Sequence, residues 1–318
     1  MAVFFQKAPL QCLDVCTFNG NKATIWVKRD DLIHPTVQGN KWRKLKYNLE
    51  NAQNQGSKTL LTFGGAFSNH LYAVAAAGQL FDFQTIAIVR GEKTLPLNPT
   101  LQFAQSAGMQ LHFVSRSDYR MLSNQSLEFI LNFINLSLSK VYLLPEGGTN
   151  DLALRGCSEI IAEIKTQLDF TPDVYAVAVG TGGTFSGMLS GMTDADTHCK
   201  AIGYAVLKGN FLEQTVQNLL NQQKVQPTCA WTIENAYHLG GYAKINAALL
   251  QFKENFEQQY GFELDYVYTS KLFYGIFQDL QQGKFPPNSH IVAIHTGGLQ
   301  GNLGFLQKIQ KKKQNLNP

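Results

Sequence analysis

Long apolar runs are missing from this sequence. No uninterrupted stretch could cross a bilayer, and the opening MAVFFQKAPL turns polar too soon for a secretory signal. A reducing cytoplasm is therefore the expected compartment. Cysteine is scarce as well: Cys12, Cys16, Cys157, Cys199 and Cys229 are odd in number, widely spread and without histidines at metal-ligand spacing. That pattern speaks against a disulfide framework and a zinc site, and it predicts core thiols for most of them. Charge is sparse, at 16% of residues with a net of +4, and the basic residues are scattered apart from Lys311, Lys312 and Lys313, which read as a solvated, frayed end. With no basic helix and no aromatic-basic stripe, nucleic-acid binding is disfavoured. Also lacking are a repeat of solenoid period, a low-complexity linker and the GxxxxGK[ST] signature of a nucleotide triphosphatase.

What is there is an ordinary globular composition, 44% hydrophobic over 318 residues. A chain of that length exceeds the usual single-core limit, so two lobes sharing a cleft are expected. From Lys58 onward short β-branched runs alternate with amphipathic stretches. The sequence predicts strands at Thr59 to Phe63, Thr85 to Val89, Leu111 to Val114 and Val141 to Leu144, with helices at Asn69 to Leu80, near Leu101 to Ala107 and around Leu122 to Leu136. After Pro145-Glu146-Gly147-Gly148 a second set follows. It comprises helix Asp151 to Leu168, strand Val174 to Val179, a glycine turn with another helix, and strands near Ala201 to Val206, Tyr266 to Tyr268 and Ile291 to His295. The early strand Ala23 to Val27 has no helix directly after it and is assigned to this second sheet. The reading is a two-lobed, three-layer α/β fold with mainly parallel sheets. Its large lobe comprises 1–40 plus 145–318, and a small lobe, 41–144, is inserted.

In open α/β sheets ligands sit beyond the carboxyl ends of the strands, so the residues after each strand carry the most information. Gln38-Gly39-Asn40-Lys41 enters a helix whose apolar face reads Trp42, Leu45, Leu49, Ala52. A lysine in a first turn opposes the helix dipole, a conflict that a bound anion or a neutral nitrogen relieves; a plain exposed lysine is the alternative. In Gly64-Gly65-Ala66-Phe67-Ser68-Asn69-His70 a strand runs into glycines and a helix. Ser68 or Asn69 is either an ordinary N-cap or part of a receptor for a substrate carboxylate, and His70 alone decides nothing. Gly180-Thr181-Gly182-Gly183-Thr184 reads as a phosphate-binding turn, with amides and two hydroxyls pointing at one anion. The Rossmann pattern would need glycine at Phe185 and an acidic residue in place of Leu207-Lys208, so NAD is disfavoured. Tyr242, Tyr268 and Thr296 lie near later strand ends and would not convince alone.

Together GNKWRK, GGAFSNH, GTGGT, GGY, VYTSK and IHTGG, in this order over nearly the whole chain, resemble the aminocyclopropane-carboxylate deaminase and D-cysteine desulfhydrase family. The resemblance implies the tryptophan-synthase-β-like fold, fold type II among pyridoxal-phosphate proteins, and a homodimer. It implies pyridoxal 5'-phosphate joined to Lys41 as a Schiff base, Asn69 at the ring hydroxyl, and Gly180 to Thr184 with Lys44 at the phosphate. Tyr268 would lie against the cofactor and Thr296 near its pyridine nitrogen. Ser68, flanked by Phe67, Asn69 and His70, would face the substrate carboxylate, and Tyr242 would be a second active-site tyrosine. Thr269 and Thr296 look like the desulfhydrase branch, whereas Phe67 replaces a common glutamine and Ala243-Lys244 also depart from the usual pattern.

The activity so implied is α,β-elimination from a small amino acid: D-cysteine to pyruvate, sulfide and ammonium, with Lys41 as base, in a lyase or a hydrolase. Ring opening of 1-aminocyclopropane-1-carboxylate to 2-oxobutanoate and ammonium is the alternative. A third reading, from another class, is a cofactor-binding protein without turnover.

Overall fold

The structure, a computed structural model, describes residues 5–13, 16–18 and 21–314. In chain order its elements begin with β1 (Leu10–Cys12), β2 (Cys16–Phe18), β3 (Asn21–Lys28), α1 (Asn40–Asn54), β4 (Thr59–Gly65) and α2 (Asn69–Phe81). Then come β5 (Gln84–Arg90), α3 (Pro99–Ser106), β6 (Gln110–Val114), α4 (Arg116–Leu122), α5 (Leu127–Phe133) and β7 (Val141–Leu144). The second half holds α6 (Asp151–Lys165), β8 (Val174–Val179), α7 (Gly183–Ser190), β9 (Lys200–Ala205), α8 (Leu212–Gln222) and β10 (Ala230–Glu234). It closes with α9 (Ala247–Tyr260), α10 (Thr269–Gln281), β11 (Ser289–Ile294) and α11 (Gly301–Gln314).

Two sheets result. The smaller has the order β6-β5-β4-β7 and is parallel throughout. The larger runs β1-β3-β11-β8-β9-β10, parallel from β3 to β10, while β1 and β2 pair with β3 in the antiparallel sense. Strands covered on both sides need apolar residues at every position, and VYAVAV of β8 is buried along its whole length. Its side chains alternate. Val174, Ala176 and Ala178 face Phe256 of α9 and Leu272, Phe273 and Ile276 of α10. Tyr175, Val177 and Val179 face Ile160, Ile161 and Ile164 of α6 and Met188 and Leu189 of α7. The small sheet divides likewise. Leu60, Ala87 and Val89 pack with α1, α2 and α3, and Leu61, Phe63, Ile86 and Ile88 pack with Tyr119, Leu122, Ile130 and Leu131.

Most strand predictions hold, and β3 joins the large sheet beside β11 as expected. Two predictions need correction. Tyr266 to Tyr268 is a turn entering α10, not a strand, because the Asp265 carboxylate accepts from the amides of Val267, Tyr268 and Thr269 that a sheet ladder would need. The helix predicted around Leu122 to Leu136 is two, α4 and α5, with Ser126 capping the second through the Phe129 amide. Helices α8 and α9 and strand β10 lie between Val206 and Tyr266, where no element is predicted. Cys157, Cys199 and Cys229 are buried thiols, whereas Cys12 is exposed. The side chains of Cys16 and of Lys311, Lys312 and Lys313 lie outside the described residues.

Helix α1 leaves the small sheet and crosses onto α6. At Gly156 any side chain would run into the backbone carbonyl of Arg43, so glycine permits this contact. Buried Arg43 then bridges two elements, donating from Nε and Nη2 to Asp30 at 2.5 and 2.7 Å and from Nη1 and Nη2 to Glu163 at 2.8 and 2.9 Å. Lys28 of β3 completes the cluster, 2.8 Å from Glu163. The start of α1 is thereby fixed between the two sheets.

Candidate active site

A cavity of about 600 Å³ opens beyond the carboxyl ends of β4, β5, β7, β8 and β11, where an α/β sheet is expected to hold a ligand. Its wall includes Lys41, Lys44, Phe67, Ser68, Asn69, His70, Gly180 to Thr184, Tyr242, Tyr268 and Thr296. Every position marked for chemistry from the six motifs except Thr269 is in this one wall, although the motifs span more than 250 residues of chain.

Lys41 is the second residue of α1. Gly39, the preceding N-cap, has φ of 54°, and a side chain there would strike the Thr296 carbonyl. The interlock is reciprocal, since Asn40 N donates to Thr296 O and the Gln38 side chain accepts from the amides of Gly298 and Leu299. Two segments far apart in the chain thus fix where the lysine begins. The Lys41 amine takes part in no hydrogen bond or ion pair among the described residues. Burial first, and the neighbouring Lys44 charge second, lower its pKa to about 7.

Lys44, one turn on, is buried and donates to Gly147 O at 3.0 Å and Thr149 Oγ1 at 2.9 Å. Thr149 in turn lies 3.0 Å from Thr181 Oγ1. Helix α7 opens with Gly182 at φ of 82° and has no side-chain cap, which leaves its first amides to a ligand. A Cβ on Gly183 would come within 2.7 Å of Thr149 Oγ1 and 3.0 Å of Lys44 Nζ. Asn40 Nδ2 donates to Thr184 Oγ1 at 2.9 Å and joins this turn to α1. Two lysines and a free helix start meet with no carboxylate hydrogen-bonded to either amine, so the floor of the cavity calls for an anion.

Ser68 takes both roles considered for it. It caps α2, its oxygen accepting from His70 N at 3.2 Å and Leu71 N at 3.3 Å, and it faces the cavity with its own proton unclaimed. Asn69 lies against the backbone of Gly298 and Gly301, where a Cβ would sit 2.7 Å and 3.1 Å from its amide. The Tyr268 ring lies on Gly180, and Tyr242, 46% exposed at the mouth, meets it edge-on at 6.1 Å. Burial, the largest cause for each, raises the pKa of both tyrosines, so both hold their protons. Phe67, also 46% exposed, rests on Gly304. Of the two threonines marked for specificity only Thr296 lines the cavity. The Thr269 hydroxyl is buried and spent on Asp265, donating at 2.9 Å and accepting from its amide at 2.8 Å.

The motifs do not contain Arg90, Arg116 and Glu146, which also line the mouth. Arg90 is 3.6 Å from Glu146. Each follows or ends a small-sheet strand, and the strand-end rule applied to β5, β6 and β7 would have found them.

A family model described as pyridoxal-phosphate dependent enzyme matches residues 6–297, and the chain belongs to that family. Among its relatives is a putative 1-aminocyclopropane-1-carboxylate deaminase of Pyrococcus horikoshii, 29% identical over 90% of this chain and 88% of the relative. A bifunctional D-cysteine desulfhydrase/1-aminocyclopropane-1-carboxylate deaminase of Arabidopsis thaliana is 31% identical over 92% of this chain and 75% of the relative. The solved structure of an ACC deaminase homologue superposes with a TM-score of 0.79 at 26% identity, covering 96% and 94% of the two chains. The architecture is fold type II of the pyridoxal-phosphate proteins, tryptophan-synthase-β-like. The hydrolase expectation is corrected: the deaminase and desulfhydrase activities that the relatives are named for are lyase activities.

The cavity fits the family's cofactor on its own geometry. The uncapped glycine start of α7, Thr181, Thr184 and Lys44 suit a phosphate, and the Lys41 amine, without a partner among the described residues, suits an aldehyde. An amino-acid substrate goes with membership of this family.

Proposed function

We propose that this protein catalyses α,β-elimination from a small amino acid, D-cysteine giving pyruvate, sulfide and ammonium. The observation that carries this reading is the Lys41 amine, without a hydrogen-bond or ion-pair partner among the described residues and with its pKa lowered to about 7, in the same cavity as the glycine-threonine turn. Ring opening of 1-aminocyclopropane-1-carboxylate to 2-oxobutanoate is the second reading, supported by relatives named for it.

In this reading the phosphate is held by Gly180 to Thr184 and Lys44, the ring hydroxyl by Asn69 and the pyridine edge by Thr296. Tyr268 forms one face of the site. The bound cofactor supplies an electron sink for the pair left at the substrate α-carbon. Ser68, with Asn69, His70 and Phe67 around it, binds the substrate carboxylate through its hydroxyl and the backbone amide of Asn69, the amides of His70 and Leu71 being held by the Ser68 cap. Lys41 Nζ takes the α-proton, which a lysine of ordinary pKa could not do at neutral pH. The Cβ–S bond breaks with its electron pair on sulfur, Cα=Cβ forms, and the released enamine adds water to give keto acid and ammonium. Tyr242 closes the mouth against water and offers its proton to the leaving group. The cyclopropane acid has no α-hydrogen, so for that substrate the proton must be moved at a ring carbon, within reach of the tyrosines or Ser68.

The division into 1–40 plus 145–318 and 41–144 belongs to the same proposal, supported by the confinement of the small sheet to residues 59–144. So does a cytoplasmic homodimer. No helix among the described residues is long and apolar enough to cross a membrane, and twofold assemblies are the commonest kind.

The test is a panel of D- and L-amino acids plus the cyclopropane acid, offered to cofactor-loaded protein while the cofactor spectrum and keto-acid release are followed. Pyruvate with sulfide from D-cysteine is the expected outcome, and 2-oxobutanoate marks the second reading. A spectrum that no amino acid perturbs would leave a binding protein without turnover and defeat both.

A further inference from the structure

The segment that carries Tyr242 has an unusual backbone. Leu239, Gly240, Gly241 and Ala243 all have positive φ, at 53°, 94°, 109° and 53°. Two of them bear side chains, for which this region is sparsely populated, so such a loop needs something outside itself to hold it. Tyr242 itself is half exposed. Within the loop the His238 carbonyl accepts from Gly241 N at 3.0 Å, and Lys244 N donates to Gly241 O at 3.1 Å.

From outside comes Lys271, the last residue of the VYTSK motif. It is fully buried on α10, and its ammonium donates to His238 O at 2.8 Å and Gly241 O at 2.7 Å. Among the described residues no carboxylate hydrogen-bonds it. Asp265 is the acid that acts on it through space, and that carboxylate is already occupied by the amides of Val267, Tyr268 and Thr269. Tyr268 immediately precedes α10, so one helical turn carries both the tyrosine lying on Gly180 and the lysine that grips the opposite tyrosine's loop. We infer that Lys271 is a positioning residue, whose two charge-assisted hydrogen bonds to the 238–241 backbone hold Tyr242 edge-on to Tyr268 at the mouth of the cavity.

The inference rests on the proposed role of Tyr242, and its test has one readout that does not depend on turnover. In cofactor-loaded protein, hydrogen exchange is measured for 238–243 in the unaltered chain and in Lys271→Met, which keeps the aliphatic stem but donates nothing. Losing charged hydrogen bonds should speed exchange there by about tenfold or more, with the large-sheet strands unchanged. For any amino acid that is turned over, kcat/KM should fall by about tenfold, and the same change in a Tyr242→Ala background should cost less than about threefold. Lys271→Gln, which retains one donor, should fall between, and it serves if Lys271→Met does not fold. Unchanged exchange at 238–243, or losses that multiply fully in the double variant, overturn the inference. Absence of turnover on every substrate would instead count against the proposed reaction, while the exchange measurement would still decide the loop.

Discussion

Thr62 Oγ1 and His70 Nε2 face each other at 2.9 Å beneath the cavity. The Thr62 hydroxyl gives its proton to the Leu144 carbonyl at 3.0 Å, so towards His70 it can only accept, and the imidazole must carry its proton on Nε2. Nδ1 is left as a buried lone pair with no partner, on a residue of the cavity wall.

His70 should therefore stay neutral across the working range. Burial first, then the charges of Lys41 and Lys44, hold its pKa well below 6.5. An unfolded chain takes up a proton there below 6.5 and the folded one does not, so this contribution to stability is complete above 6.5 and is lost as the pH falls below it. Nitrogen-15 NMR of the imidazoles should show His70 as the Nε2-protonated tautomer from pH 8 to pH 5, and a titration near the ordinary value would refute the assignment. Thr62→Val, which strands the imidazole N–H and a carbonyl, should cost about 1–3 kcal/mol in denaturant unfolding.

Lys41→Ala should lose turnover by about 100- to 10,000-fold, the usual contribution of a positioned base, together with most cofactor retention. In cofactor-free protein the same amine should undergo reductive methylation with a midpoint near pH 7, where burial and Lys44 place it. Surface lysines should need far more alkaline solution. Mass mapping of the modified lysines distinguishes the two, and equal reactivity of Lys41 with surface lysines would count against the role.

Gly183→Ala should fold normally and bind cofactor poorly. The added methyl would press at 3.0 Å on Lys44 Nζ, assigned to the phosphate, and at 2.7 Å on Thr149 Oγ1, which accepts a hydrogen bond from that lysine. Equilibrium dialysis should show affinity lower by about tenfold or more, as expected when a charged hydrogen bond is disturbed, with the melting curve of the cofactor-free protein little changed.

The Arg43 cluster should govern acid stability. Burial pushes the Glu163 pKa up, but hydrogen bonds from Arg43 and Lys28 outweigh it and bring the group from 4.5 down to about 2. A carboxylate depressed on folding stabilises fully above its unfolded value, and that contribution is lost as the pH falls from 4.5 towards 2. Glu163→Gln should be less stable by about 3 kcal/mol at pH 7, as when one partner of a buried pair is removed. The gap should narrow through that acid window in urea titrations, and a constant gap would show that the cluster does not work through the charge of Glu163.

Much of this was legible in the chain. The period-2 and fully apolar runs located β4 to β9 and β11 because strands buried on both faces leave no room for polar residues. Glycine and N-cap residues marked the strand ends from which the cavity is built. The turn at Tyr266 to Tyr268 was misread because β-branched and aromatic residues look like a strand locally. The Asp265 carboxylate, taking three backbone amides, overrides that preference.

The sequence by itself determined the strands and helices, the glycine turns that can receive an anion, and the six short motifs. Tertiary structure alone decided that Gly39 interlocks with Thr296, that among the described residues the Lys41 amine has no partner while Lys44 bonds to Gly147 and Thr149, that Thr269 turns away from the cavity while Thr296 faces it, and that Lys271 reaches the loop of Tyr242. Local runs are set by backbone sterics and by the pattern of apolar residues. Proton affinity, accessibility and partnership depend instead on distances of a few ångströms between residues far apart in the chain, which no local pattern encodes.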